Sequence, residues 1–431
     1  MVSHAAGRRL LVISSSPARQ KGSEIFLDKK LAEGMRLYAD RWTGPVTCLL
    51  QESPDELPFA DWFAPAGLPF RVRVRAAGQR IGADDIADFD VIVSCGDNPA
   101  YLHLAEVARK AGKPLFYTIE NIPETRRQIA RMEGRHGLRL LRHALSIWRQ
   151  ENRRKRAFAQ ASGLQANGYP AAEAWRGVNP NTLLYLDNRI DGSLLARPND
   201  MASSKVRLAG DGPLRLVHSG RLEPLKGSQD LIRVARRLRA RGVDFVLDIF
   251  GSGSLEDTLR DQARAGGLDQ QVRLHGAVDF VTALVPWCRR NSDIFISCHR
   301  QSDPSCTYLE AMGCGLAVAG YDNRMWHGLA RESQAGWIVP LGDAEALADA
   351  IADAPRAEIA QKCRAARDFA RAHLFETEFE RRIEQLAAAF PGADTLASRR
   401  APRQGAATSN EDAACSPSAT TTRPSELLMS R

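Results

Sequence analysis

A chain of 431 residues is long enough for two domains with separate cores, and its 44% hydrophobic and 26% charged content is ordinary for a globular protein. The formal net charge is +8, no apolar run reaches the length of a membrane span, and Leu10 to Ile13 is too short for a signal-peptide core, so a cytoplasmic location is expected. None of the eight cysteines forms a C-x-x-C pair, which argues against a structural zinc site; Cys298, Cys306 and Cys314 read as reduced thiols packed around one strand and helix.

Arg9 to Ser14 reads as a first parallel strand. Lys21-Gly22-Ser23-Glu24 follows, opening a helix expected through Phe26, Leu27, Leu31 and Met35. Further strands are expected at Val46 to Leu50, Phe70 to Arg75, Val91 to Ser94 and Leu115 to Ile119, with helices between them, notably Ala100 to Ala111. Such alternation predicts a parallel, doubly wound sheet that binds ligands beyond the carboxyl ends of its strands. Gly96-Asp97-Asn98 and Thr118-Ile119-Glu120-Asn121 fall at those exit ends and should line a cleft. Glu120 suits a sugar hydroxyl or acceptor contact there, and equally a cap for the next segment. Asp88-Phe89-Asp90 has the D-x-D spacing of a metal site but precedes its strand, and reads as a solvated turn. His103 reads as a helix-surface residue.

The composition changes abruptly at residues 126–156. Ten arginines and Lys155 stand against Glu133 and Glu151, a formal charge of +9, so the rest of the chain nets −1. Ile129, Met132, Leu138, Leu141, Leu145 and Trp148 interleave apolar faces with these charges. A basic amphipathic region of this kind reads as a binder of an anionic membrane surface. Nucleic acid is the rival polyanion, but no nucleic-acid module accompanies the patch and none is expected as a partner. Plain solvated helices at a cleft edge are the third reading. Gly163 to Tyr169 and Leu183 to Arg189 end the first domain, residues 1–195. The polar, Pro- and Gly-bearing stretch 196–213 suits a linker.

Residues 214–390 carry the sharper signals. Leu214 to His218 reads as a buried strand, Gly220 as a sharp turn out of it, and Ser228 to Arg241 as a helix. Arg221 and Lys226 then share the loop at the strand's exit, where a guanidinium fork and an ammonium suit a diphosphate. Phe245 to Phe250 is a strand ending in Gly251-Ser252-Gly253, whose small residues admit a base or phosphate near the backbone. Val272 to Gly276 and Asp293 to Ser297 are further strands. A helix starting near Ser305, with Pro304 in its first turn and Asp303 as its cap, carries Glu310 and offers free N–H groups to a phosphate. Asp343 to Ala352 and Ile359 to Phe390 read as closing helices, and 391–431, poor in large apolar groups, as a disordered tail.

The run Gly220-Arg221-Leu222 with Lys226-Gly227, the Gly251-Ser252-Gly253 turn, and Pro304-Ser305 with Glu310-Ala311, Cys314 and Gly315 together resemble the retaining glycosyltransferases of family 4. The resemblance covers residues 8 to 390 in element order, with its specific motifs within 214–323. It implies an α/β chain of two Rossmann-like domains facing across a cleft, the GT-B fold, with an acceptor domain first and a sugar-nucleotide domain second. It also implies transfer of a sugar from a nucleoside-diphosphate sugar to a sugar, lipid-linked or polysaccharide acceptor, with retention at the anomeric carbon. By the same resemblance Arg221 and Lys226 neutralise the leaving diphosphate and Glu120 stands at the acceptor side. Gly22, Gly251, Gly253, Ser302, Asp303, Ser305, Thr307, Tyr308 and Glu310 line the donor. The family's paired glutamates have seven residues between them; Glu310 matches the second, and Ser302 stands where the first belongs. No metal or other cofactor is required if the two cations do the neutralising. The alternatives are a sugar-nucleotide epimerase of the same fold and a non-catalytic membrane scaffold, the latter opposed by the joint presence of Arg221, Lys226 and Glu310.

Overall fold

The computed structural model describes residues 7–53, 60–126, 138–302 and 304–390, without the side chains of 138–144. Among the described residues nine strands lie in the first half: β1 (Leu10–Lys21), β2 (Glu24–Asp28), β3 (Val46–Glu52), β4 (Ala60–Phe63), β5 (Arg71–Arg75), β6 (Val91–Cys95), β7 (Leu115–Ile119), β8 (Gly163–Asn167) and β9 (Thr182–Tyr185). Seven of them form a parallel sheet in the order β5-β3-β1-β6-β7-β8-β9. Leu10 to Ile13 is buried throughout, as a strand covered by helices on both faces requires.

The second half holds β10 (Leu214–Ser219), β11 (Phe245–Phe250), β12 (Val272–Gly276), β13 (Ile294–Ser297), β14 (Ala317–Tyr321) and β15 (Gly336–Val339). They form one parallel sheet in the order β12-β11-β10-β13-β14-β15. In both sheets the chain winds outward one way and then returns to wind the other way. The reversal falls between β1 and β6 and between β10 and β13, where crevices open beyond the carboxyl ends of the strands. The expected pair of Rossmann-like sheets is therefore present.

Two expectations change. The segment after Gly22 is a strand before it is a helix. β2 pairs antiparallel with the end of β1, Lys21 opposite Glu24, and continues antiparallel to β4. Ile25 and Leu27 are buried while Phe26 between them is not, a period of two rather than of a helix turn. The helix Lys29–Arg41 begins only where Asp28 accepts from Leu31 N at 3.0 Å. The stretch read as a linker contains the helix Pro198–Ala209, with proline in its first turn and the Asp200 carboxylate accepting from Arg197 N at 2.8 Å. Ser204 Oγ and Arg207 Nη2 donate to the buried Asp293 carboxylate at 2.7 and 2.9 Å, so this helix is bound to the second sheet. The stretch expected as a tail lies outside the described residues.

The stretch expected as a closing helix from Ile359 to Phe390 holds two helices, Arg356–Ala372 and Phe375–Ala387, with a break at His373. Helix Phe375–Ala387 returns to the first half, where Phe379, Ile383 and Leu386 join a core with Leu10, Met35 and Tyr38. Arg382 seals that junction: Gln165 Nε2 donates to its carbonyl at 3.0 Å, and its guanidinium sits 4.5 Å from the Tyr185 ring centroid.

Candidate functional site

The loop after β10 is built against its neighbours backbone to backbone. Leu222 N donates to Ser252 O at 2.9 Å and Leu255 N to Leu222 O at 3.0 Å, locking the loops after β10 and β11 together. A Cβ on Gly251 (φ +131°) would stand 1.8 Å from Gly220 O, and one on Gly253 would stand 2.6 Å from Leu222 O. These two glycines are thus needed for the approach of one loop to another, which is a different reason from the admission of a ligand. Gly227, at φ +72°, meets Cys298 O in the same way at 1.7 Å, bringing the β10 loop onto the exit of β13. Arg221 is exposed and Lys226 half-buried on this loop, at the reversal point of the second sheet. Beside Lys226 lies His299, buried, with Nδ1 lacking a hydrogen-bond partner among the described residues. Burial, then the charges of Lys226 and His218, hold its imidazole well below the ordinary range, so it is neutral.

The predicted donor residues beyond β13 divide. Ser305 Oγ and Thr307 Oγ1 bond each other at 2.9 Å where the helix Thr307–Gly313 begins. Tyr308 belongs to the core: its hydroxyl accepts from Ser297 Oγ and Asn323 Nδ2, both at 2.9 Å, and its ring stacks on Trp326 at 5.3 Å. Ser302 is buried and its Oγ accepts from Arg324 N at 3.2 Å, which ties its hydroxyl to the start of the helix Arg324–Ser333. Asp303 lies outside the described residues. Glu310 is buried, and both its oxygens accept from Arg189, Nε at 2.7 Å and Nη2 at 3.1 Å. Gly22, with φ +58°, is the first central residue of a two-residue hairpin turn, and a Cβ there would meet nothing within 4 Å.

Across the cleft, Glu120 follows β7. Its N–H donates to Asp97 Oδ2 at 2.7 Å and its Oε1 accepts from Asn167 Nδ2 at 3.2 Å, so its own backbone is capped and its side chain is not a cap. Lys30 Nζ bonds Asp187 Oδ2 at 2.6 Å, and the Cys306 thiol of the second half lies 3.8 Å from that oxygen. Glu120 keeps solvent access within this crowd. Desolvation, then the Asp187 and Asp97 carboxylates, push its carboxyl above the ordinary range against the opposing Asn167 and Lys30.

The basic segment is partly an anchor. Arg154 is fully buried; its Nη1 donates to Glu151 at 2.7 Å, Nε to Gly96 O and Nη2 to Asp97 O, both at 3.1 Å. Arg126 bonds the Asp97 carboxylate and, at 3.2 Å, Glu151. These two arginines, counted in the sequence among surface cations, instead hold the loop that orients Glu120. The long helix Leu138–Gln160 still exposes Leu145 at 45%, Trp148 at 61%, and Arg149 and Arg153. Residues 127–137 lie outside the described residues. Asp90 accepts from Arg9 N at 2.6 Å in a turn at the entry end of β6, and His103 is tied by its two ring nitrogens to Ala100 O and Ile81 O, each at 2.8 Å. Among the described residues no group of three His, Cys, Asp or Glu is placed to hold a metal ion.

Lys30, Asp187, Arg189 and His299 escaped the sequence reading. The first three are isolated residues whose partners lie far along the chain, as Arg189 and Glu310 lie 121 positions apart. His299 alone had a local signal, its place one residue past the exit of a strand that was identified.

Residues 201–373 match the family model of glycosyl transferases group 1. A phosphatidyl-myo-inositol mannosyltransferase of Mycolicibacterium smegmatis is 33% identical over 130 residues, 30% of this chain and 32% of that protein. The amylovoran biosynthesis glycosyltransferase AmsK of Erwinia amylovora is 31% identical over 156 residues, 33% of this chain and 36% of that one. The chain therefore matches well under half the length of these curated relatives. Among solved structures, Anabaena HepE in complex with UDP superposes with a TM-score of 0.62 at 16% identity, covering 89% of this chain and 100% of that one. WaaG, a glycosyltransferase involved in lipopolysaccharide biosynthesis, gives 0.57 at 12% identity, covering 88% and 99%. The fold is GT-B.

The glycines separate in a urea titration. Gly251→Ala should cost about 3 kcal/mol or more, from the clash and the strained backbone together, and Gly22→Ala only about 1–2 kcal/mol, from the positive φ. Equal losses would contradict the loop interlock. Glu120→Gln should change stability with pH. In the unfolded chain Glu120 ionises near about pH 4.3, whereas in the folded protein it ionises higher. The folded state therefore loses stability as pH rises through that window, and the variant does not. Melting temperatures of the two proteins should coincide near pH 4 and separate in favour of the variant toward pH 7.

Proposed function

We propose that this protein is a glycosyltransferase that moves a sugar from a nucleoside-diphosphate sugar to an acceptor with retention at the anomeric carbon. The observation that carries this is the pairing of Arg221 and Lys226 on one loop at the reversal point of the second sheet, inside the segment that matches the group 1 model. Cleavage of the bond between the anomeric carbon and the diphosphate oxygen builds negative charge on phosphate. A guanidinium and an ammonium fixed beside it stabilise that charge most in the transition state. The acceptor oxygen forms its bond on the face the diphosphate leaves, and its proton passes to the departing phosphate oxygen. The products are the glycoside and the nucleoside diphosphate. Neutral His299 stands next to Lys226 without adding a positive charge of its own. Glu310 receives the ribose hydroxyls, and Glu120, whose carboxyl holds its proton more readily than usual, bonds a hydroxyl of the acceptor or of the transferred sugar.

UDP is the first nucleotide to try, because the HepE structure contains it. The acceptor class fits a lipid-linked or polysaccharide precursor, in keeping with the names of the mannosyltransferase and of AmsK. The exposed face of Leu138–Gln160 adds a physical reason. Trp148, Leu145, Arg149 and Arg153 give an apolar and cationic surface suited to the anionic inner face of a membrane, where such an acceptor would be presented to the cleft.

A thermal-shift screen of UDP, GDP and ADP tests the donor reading, since a ligand of the native state raises its melting temperature. One of the three should stabilise the protein; silence from all of them would count against it. Lys226→Ala should keep the fold and reduce turnover of the matching sugar nucleotide by about tenfold to a hundredfold, the worth of one charge-assisted bond. Unchanged release of nucleoside diphosphate would remove Lys226 from the mechanism. Membrane docking is read by co-sedimentation with vesicles. Trp148→Ser, Arg149→Ser and Arg153→Ser together, leaving buried Arg154 intact, should abolish binding to anionic vesicles. Wild-type binding should fall with salt, because exposed charges are screened beyond about 10 Å at 0.1 M. Equal binding to neutral vesicles would refute the electrostatic part.

A further inference from the structure

Arg189 sits on the connector from β9 to the second half, and the backbone around it is firmly held. Asn188 Nδ2 donates to Leu186 O and His373 O, each at 3.0 Å, and Asn188 Oδ1 accepts from Ile190 N at 2.8 Å. The Arg189 side chain is nonetheless 48% exposed, and its guanidinium is committed to two neighbours at the cleft. It bonds both oxygens of Glu310, and it lies over the Phe280 ring, 3.8 Å from the centroid. Among the described residues no other side chain donates to Glu310. With Arg189 in place only 6% of the Glu310 side chain is exposed.

A guanidinium fork offers one carboxylate two parallel donors. The vicinal hydroxyls of a ribose do the same. The flat face that Phe280 gives the guanidinium serves a nucleobase or sugar equally well. A carboxylate has further lone pairs, about four acceptor sites in all. The small exposed fraction of Glu310 leaves a second pair of donors no path to them while Arg189 stays.

We propose that Arg189 is an intramolecular stand-in for the ribose: a nucleotide enters by exchanging its diol for the Arg189 fork on Glu310, and leaves as Arg189 returns. This rests on the reading of Glu310 as the ribose acceptor. The exchange keeps a buried carboxylate bonded at every stage, since stripping it of donors is expensive. Each nucleotide gains only the difference between two similar sets of bonds, which holds down affinity for the nucleoside diphosphate product and speeds its release. Because Arg189 belongs to the connector, the exchange takes place where the two halves of the chain join.

Calorimetric titration decides it, with UDP (or GDP or ADP, whichever stabilises the protein most) and its 2′,3′-dideoxy analogue. Arg189→Gln should bind the ribonucleotide about twofold to fivefold more tightly, the range of a half-exposed ion pair, and bind the dideoxy analogue as wild type does. Arg189→Lys, which keeps the charge and loses the fork, should fall between. In a Glu310→Gln background the Arg189→Gln gain should vanish, because the two changes remove the same contact. Weaker or unchanged ribonucleotide binding by Arg189→Gln would overturn the proposal, as would a gain that persists in the Glu310→Gln background or is equal for the dideoxy analogue. If wild type and variants alike bind none of the three diphosphates, the donor reading itself falls, and this inference with it.

Discussion

The close backbone approach at the exit of β10 is the constraint on which the second half of the protein depends. Gly227, Gly251 and Gly253 let three loops meet where a single Cβ would collide with a carbonyl oxygen. That contact sets where Arg221 and Lys226 stand, and it places the start of the β13 loop, with neutral His299, beside Lys226. A glycine that permits loop packing and a glycine that admits a ligand look the same in a sequence. Here a Cβ would clash with the protein's own backbone, so the site is shaped one step removed from any ligand.

The electrostatics of the cleft follow from which charges are already satisfied. Glu310 is answered by Arg189, Asp187 by Lys30, and Asp97 by Arg126 and two backbone N–H groups. Glu120 is desolvated, stands near the Asp187 and Asp97 carboxylates and accepts from the neutral amide of Asn167, so its proton is held more firmly than in water. By this arrangement an otherwise ordinary glutamate gives up its proton at a higher pH than it would in water.

Charge in the basic segment has two distinct uses. Arg154 directs three of its five N–H donors inside the protein, to Glu151 and to the carbonyls of Gly96 and Asp97, and so fixes the loop beneath Glu120. Arg149 and Arg153, on the same helix, face outward with Trp148. An exposed apolar and cationic face and a network that orients a cleft carboxylate therefore share one helix.

What the sequence by itself determined was set by short-range physics. Buried parallel strands need continuous apolar runs, so Leu10 to Ile13, Leu216 to His218 and Phe245 to Phe250 were legible, as were the turn at Gly220 and the helices that follow the strands. The Arg221 and Lys226 loop was legible for the same reason, since both residues lie within a few positions of a recognisable strand end. Only the tertiary structure decided the rest. Ile25 and Leu27 suit a helix or a strand until β1 and β4 are there to pair with β2. Tyr308 looks like a ligand contact until Ser297, Asn323 and Trp326 close around it, and Arg154 like a surface cation until Glu151 and two carbonyls enclose it. Arg189 carries no local mark at all; its meaning arises from a carboxylate 121 residues away, because side-chain pairing across a cleft is fixed by how two sheets are set against each other and not by any spacing along the chain.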